Sequence, residues 1–130
     1  MTDRELIDLA KRATQNSYAP YSRFRVGAVL ECEDGTLFGG CNVENAALGC
    51  TICAERAAVC AAVSAGKRSF TRIAVYADSA DYCAPCGTCR QVLHEFAPNI
   101  EVLCARADGK YVSYRLPELL PLSFGGESMR

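Results

Sequence analysis

No stretch of this chain approaches the length of apolar sequence that crosses a bilayer, which argues against a membrane-spanning protein. A block of like charge is missing as well. Fourteen Lys and Arg face fifteen Asp and Glu, for a net charge of −1, and no basic track for a nucleic-acid backbone is present. The N-terminus, MTDRELIDLAKRA, has no apolar signal-peptide core. That absence predicts an unexported, cytoplasmic protein in a reducing compartment. Repeats, low-complexity tracts and linkers are also missing, so residues 1–130 read as a single domain. Histidine occurs once, at His94.

What the chain does have is cysteine. Nine thiols in a reducing compartment are not a disulfide framework, and an odd number cannot all pair. Some are expected to bind metal. Others are expected to be small core residues, because free Cys is among the most buried residue types.

Thr2 and Glu5 form a capping-box signature, followed by Leu6, Ile7, Ala10 and Ala13 at helical spacing, so a helix is predicted to end near Asn16. The loop YAPYS follows, broken by Pro20. Phe24 to Leu30 alternates like a strand, Asp34-Gly35 makes a turn, and Leu37 to Cys41 returns as the hairpin partner. CNVENAALGCT is loop-like, and the Ala-rich run from Cys53 to Ala65 is a helix stopped by Gly66. Arg72 to Ala77 is a buried strand, Gly87 to Phe96 a helix, and Ile100 to Ala105 and Tyr111 to Arg115 are strands around an Asp108-Gly109 turn. Pro117 starts a short last helix and Pro121 ends it. Strands alternating with helices predict an α/β layered domain.

Both cysteine motifs fall where a loop enters a helix. Cys86-x-x-Cys89 can chelate with two sulfurs, and Cys53 can supply a third. Unpaired N–H groups and the positive dipole end at helix N-termini stabilise thiolates there. Three arrangements compete. The thiols could be core residues without metal. Cys50, Cys53, Cys86 and Cys89 could close a four-cysteine structural zinc module that binds a partner and does no chemistry. Or Cys53, Cys86 and Cys89 could form an open catalytic site with Glu55 beside it. An iron–sulfur run starting at Cys83 fails, because its fourth ligand would fall on Leu93.

The wider words separate these arrangements. CAER (Cys53–Arg56) with PCGTCRQV (Pro85–Val92) resembles the cytidine deaminase family. So do YAPYSRFRVGA (Tyr18–Ala28), GCNVENAA (Gly40–Ala47) and ELLPLSF (Glu118–Phe124), in family order and with family-like gaps across nearly the whole chain. The resemblance is to the small, homotetrameric, three-cysteine zinc type. It implies a three-layer α-β-α fold on a mixed five-stranded sheet. It also implies hydrolytic deamination of cytidine and deoxycytidine to uridine and deoxyuridine, releasing ammonia, in pyrimidine salvage.

Carried over, Cys53, Cys86 and Cys89 would bind one Zn²⁺ per chain and Glu55 would move protons. Asn42 and Glu44 would hold the sugar hydroxyls, Phe24 would pack on the base, and Phe124 would do so from a neighbouring subunit. The backbone at Ala54 and Cys86 would touch the pyrimidine. Arg56 could donate to thiolates and offset their charge. A related nucleoside analogue is the alternative substrate within the same chemistry, and a polynucleotide substrate is disfavoured. One departure stands out: the family often has Tyr where this chain has Leu48, which touches subunit contacts near the sugar. Cys50 and Cys83 are read as loop or core thiols.

Each of these residues also has an ordinary structural reading. A first-turn acid such as Glu55 is commonly a solvated dipole partner, and Asn and Glu in a polar loop are commonly turn residues. His94 lies opposite the apolar face of its helix, toward solvent or a neighbour. Arg90 is a surface charge or a carboxylate partner. Tyr18 and Tyr21, with Phe24, could form a small satellite core.

Overall fold

A computed structural model describes residues 1–129, and Arg130 lies outside the described residues. Helix α1 spans Asp3–Ala13 and ends in a 3-10 turn at Thr14–Asn16. Thr2 Oγ1 accepts the Glu5 N–H at 3.1 Å, satisfying one of the free donors of the first turn. Strands β1 (Val26–Cys32) and β2 (Leu37–Cys41) form the hairpin, and α2 (Ala54–Ser64) follows. Then come β3 (Phe70–Ala77), α3 (Gly87–Phe96), β4 (Glu101–Ala105), β5 (Tyr111–Arg115) and α4 (Leu116–Leu119). Among the described residues, no helix is long and apolar enough to cross a membrane.

The five strands lie in the order β2-β1-β3-β4-β5. β3 and β4 are parallel, joined through α3, and every other neighbouring pair is antiparallel. This is the mixed five-stranded sheet that the resemblance implied. Its central strands are covered on both faces. Leu6, Ile7 and Ala10 of α1 pack with Val29, Ala74, Tyr76 and Leu103 on one side. Ala58, Val59 and Ala62 of α2 and Leu93 of α3 pack with Ala28, Leu30, Ile73, Val75 and Val102 on the other. Alternate residues of each strand therefore serve opposite layers, so β1, β3 and β4 read as nearly continuous apolar runs.

Two strand glycines let helices approach the sheet on opposite faces. A Cβ on Gly27 would collide with the Ala10 carbonyl of α1 and lie 2.9 Å from Thr14 N. A Cβ on Gly40 would lie 2.5 Å from the Ala54 carbonyl and 2.6 Å from Ala58 N of α2. Bare backbone at Gly40 thus sets how closely the first turn of α2 sits against β2.

The first strand starts later than its alternation predicts, at Val26 in place of Phe24. Arg23 has φ 60°, which bends the chain out of any ladder, and pairing with β3 begins at Val26 opposite Ala77. β1 and β3 also run to Cys32 and from Phe70, because their ladder continues past a register shift between Glu31 and Cys32. Tyr18 and Tyr21 do not form a satellite core; both are more than half exposed.

One polar cluster fastens α1 to the sheet. Glu31 and Arg72 face each other across β1 and β3. The Arg72 guanidinium donates to both Glu31 oxygens at 2.7 and 2.6 Å, to Asp3 Oδ1 at 2.8 Å and to the Met1 carbonyl at 2.7 Å. Those bonds from Arg72 hold the Glu31 carboxyl below the ordinary range, against an opposing effect of burial.

Arg72→Ala is expected to cost about 2 kcal/mol at neutral pH, read by chemical denaturation. A depressed folded pKa contributes stability above the unfolded value of about 4.3 and loses it as pH falls through the folded value. The difference between variant and parent should therefore narrow below about pH 4. Gly40→Ala is expected to cost about 3 kcal/mol, because backbone rather than a movable side chain blocks the new methyl; melting curves check it.

Candidate active site

The chemistry-bearing residues cluster where α2 and α3 begin. Cys53 is the N-cap of α2 and Cys86 the N-cap of α3, both with extended backbone and neither side chain bonded to its own helix. Their sulfurs are thus left to point into the space between the two helix starts. Cys89, in the first turn of α3, is fully buried and completes the group.

Cys53, Cys86 and Cys89 place all three sulfurs within 4.8 Å of one another. The Cys53–Cys86 and Cys86–Cys89 separations are 3.7 and 3.4 Å. A tetrahedron with zinc–sulfur bonds of about 2.3 Å has edges of about 3.8 Å. The three sulfurs therefore fit zinc with little movement. Cys50 is exposed on a 3-10 turn and is not part of the cluster, so the closed four-cysteine arrangement does not form. Burial pushes the Cys89 thiol far up and the Cys53 thiol up. At Cys86 burial acts the same way, but hydrogen bonds involving Cys89 and Cys53 outweigh it and lower the thiol. A bound cation reverses the preference of the raised pair, since coordination requires thiolate.

Glu55 directly follows Ala54 at the start of α2. It is one of two buried polar residues among the described residues, 5% exposed, which rules out the solvated first-turn reading. Burial raises its carboxyl pKa, and Arg56 opposes the shift weakly. Arg56 turns back along the helix start. Its Nη2 donates to the Thr51 carbonyl at 2.9 Å and lies 3.7 Å from Cys53 Sγ, while its Nε is buried without a partner. The guanidinium thus sits where it can offset thiolate charge.

A cleft of about 290 Å³ opens over this cluster. Cys53, Ala54, Glu55 and Cys86 form its floor, and Phe24 and Asn42 form part of its wall. Larger hollows, including one of about 420 Å³ bordered by Lys11, Arg12 and Tyr76, contain none of the sulfur ligands. The cleft also takes in Val26, Thr51, Cys83 and Ala84, none of which had been given a site role. Cys83 stands three residues before Cys86, and that proximity was the one available signal. Burial and the nearby Glu55 charge push its thiol up to about 11, so it stays protonated.

Asn42 is buried and bonded to the segment that carries Phe24. Its Nδ2 donates to the Phe24 carbonyl at 2.7 Å, and its Oδ1 accepts from Val26 N at 3.0 Å and from the Ser17 hydroxyl. Glu44 is not among the residues around the cleft. Its Oε1 accepts from Tyr21 N and Ser22 N at 2.9 and 3.1 Å, and Oε2 accepts from the Ser22 hydroxyl. The Ser22 hydroxyl, more than any other group, keeps the Glu44 carboxyl below its ordinary range.

Phe124 does not reach its own chain's cleft. It is 59% exposed, with its carbonyl held by Gln91 Nε2 at 2.7 Å. His94 lies away from the sulfurs, as its helical position predicts. It is covered by the chain's own tail, with Ser123 Oγ 3.2 Å from Nε2. Among the described residues Arg90 pairs with no carboxylate; it donates to the Pro85 and Leu119 carbonyls at 2.7 and 2.8 Å.

Residues 1–105 match the family model described as the cytidine and deoxycytidylate deaminase zinc-binding region. This chain belongs to that deaminase family. The cytidine deaminase of Sporosarcina psychrophila is 44% identical over 130 residues, covering 99% of this chain and 96% of that protein. The cytidine deaminase of Halalkalibacterium halodurans is 44% identical over 129 residues, covering 98% of each chain. The crystal structure of cytidine deaminase from Burkholderia pseudomallei superposes with a TM-score of 0.93 at 46% identity, covering 95% of this chain and all of that one. The three sulfurs lie inside the matched zinc-binding region, so the family's metal and this chain's donor set agree.

Metal analysis of purified protein checks the donor set. The parent and Cys50→Ser should each carry about one zinc per chain, and Cys89→Ser should retain less than a tenth of that, since three donors hold the ion.

Proposed function

We propose that residues 1–130 act as one catalytic domain that hydrolytically deaminates cytidine and deoxycytidine. The observation that carries this reading is a buried carboxyl, Glu55, in the same cleft as Cys53 and Cys86, two of three sulfurs spaced for zinc. A structural zinc site needs no such neighbour, because burying an acid is costly.

Deamination exchanges the C4 amino group for oxygen: cytidine and water become uridine and ammonia. Zinc, when bound, lowers the pKa of water and so supplies a nucleophile near neutral pH. Glu55 performs the proton transfers. It takes one proton from the attacking water and delivers it to ring N3, then takes the remaining proton of the hydroxyl added at C4 and passes it to the departing amine. Burial raises its pKa, the direction that helps a carboxyl hold a proton between transfers. Three thiolates around a divalent ion carry one net negative charge, which disfavours further negative charge at that centre. Arg56 and the two helix N-termini offset it.

The sugar reading follows from hydrogen-bonding capacity. A carboxylate offers about four lone-pair sites, and three of those on Glu44 are engaged within the chain. Asn42 has used both acceptor sites of Oδ1 and one N–H. One acceptor on Glu44 and one donor on Asn42 remain. A hydroxyl that donates to the first and accepts from the second matches that pair. The ring of Phe24 forms an apolar wall for the base, and the backbone at Ala54 and Cys86 borders it.

Several large apolar side chains outside the core support assembly with copies of itself. Leu48 is 74% exposed, Leu122 is fully exposed, and Phe124 projects from an anchored tail. We propose a homotetramer in which Phe124 closes a neighbour's cleft, working on free nucleosides in cytoplasmic pyrimidine salvage. Sedimentation checks the assembly.

Loss of ultraviolet absorbance as cytidine becomes uridine tests the reaction. The parent should convert cytidine and deoxycytidine and stop after chelation of zinc. Glu55→Gln should lose about a thousandfold in kcat while retaining zinc. Conversion by the metal-free protein, or full activity in Glu55→Gln, would overturn the assignment.

A further inference from the structure

The cleft wall is built on a segment that has little to hold it. Residues 21–25 are exposed, and Arg23 within them has φ 60°, a backbone conformation uncommon for a side chain of its kind. Phe24, the aromatic of the cleft, comes directly after that bend. The segment's ties to the rest of the chain are few. Arg23 N donates to the Ala19 carbonyl at 3.0 Å, and Asp78 N donates to the Arg25 carbonyl at 3.3 Å. The remaining bonds run to Asn42 and Glu44.

Ser22 stands between Glu44 and Phe24. Its hydroxyl donates to Glu44 Oε2 and accepts the Phe24 N–H at 3.0 Å. One hydroxyl group thus joins the carboxylate to the backbone of the aromatic wall. It occupies the Oε2 side of Glu44, while two backbone amides occupy Oε1. Without it, Glu44 would lose one of its three donors and Phe24 N would lose its acceptor.

We propose that Ser22 is a positioning residue that couples Glu44 to Phe24, so that sugar recognition and base packing are set together. This inference rests on the reading above that Glu44 and Phe24 touch the substrate. A serine accepting from the amide two residues on is also a routine turn feature. The bond to Glu44 and the left-handed residue between Ser22 and Phe24 distinguish this one. A side chain at φ 60° persists where its surroundings over-determine it, and Ser22 bonds on one side of Arg23 while Asn42 holds Phe24 on the other.

The coupling has a kinetic signature. Ser22→Ala should raise KM for cytidine about fivefold with kcat nearly unchanged, as expected for one ordinary hydrogen bond acting on binding. Ser22→Thr, which keeps the hydroxyl, should restore KM. In a double-mutant cycle, Ser22→Ala should add little to Phe24→Ala, because the wall it orients is already gone. Circular dichroism and melting confirm that each variant is folded. Should Ser22→Ala prove unstable, Ser22→Cys, which keeps size but bonds weakly, should still raise KM. Unchanged KM in a folded Ser22→Ala, or full additivity with Phe24→Ala, overturns the coupling. If that occurs while Glu44→Gln and Phe24→Ala each raise KM, the site reading stands and only Ser22's role fails. If Glu44→Gln and Phe24→Ala also leave KM alone, the site reading itself falls.

Discussion

Two helix N-termini aimed at the same point are the constraint on which this molecule depends. Cys53 and Cys86 cap α2 and α3, and Cys89 follows within the first turn of α3. Each helix presents unpaired N–H groups and a positive dipole end toward the sulfurs, which favours thiolate. Burial acts the other way and raises Cys53 and Cys89. A divalent cation resolves that conflict, because it removes the cost of concentrating negative charge in a poorly solvated corner. Metal binding and the ordering of the two helix starts are therefore coupled.

The fold serves this convergence with simple means. α1 seals one face of the sheet, leaving the other face to α2 and α3. Gly40 brings the first turn of α2 onto β2, and with it Cys53, Ala54 and Glu55. The parallel pairing of β3 with β4 requires a crossover, and α3 supplies it. Cys86 lies within that crossover, as the N-cap of α3. Asn42 and Glu44 both bond to the segment that carries Phe24 and so help shape the aromatic wall.

Much of this was legible in the residue order. Helix α3 and strands β2 and β5 match the elements expected from pattern and turn chemistry, residue for residue. The ligand cysteines stood out because a Cys-x-x-Cys at a helix start has few other uses, and the surrounding words carried the family. The start of β1 was misplaced because alternation cannot reveal a backbone bend at Arg23. Tyr18 and Tyr21 suggested a small core because aromatic composition does not say which face is covered. Thr51 and Ala84 border the cleft without any signal of their own, since a cleft wall is defined by what lies across from it.

Periodicity and turn chemistry by themselves predicted the layered α/β class, while the family resemblance of the motif words implied which three thiols and which adjacent acid form the site. The first rests on spacing within one turn of helix or alternation along one strand, and the second on the order of short motifs along the chain. Tertiary structure alone decided that Cys50 stays outside the cluster, that Glu55 is buried rather than solvated, and that Ser22 bridges Glu44 to Phe24. These outcomes depend on distances between segments far apart in sequence, and such distances exist only once both faces of the sheet are covered.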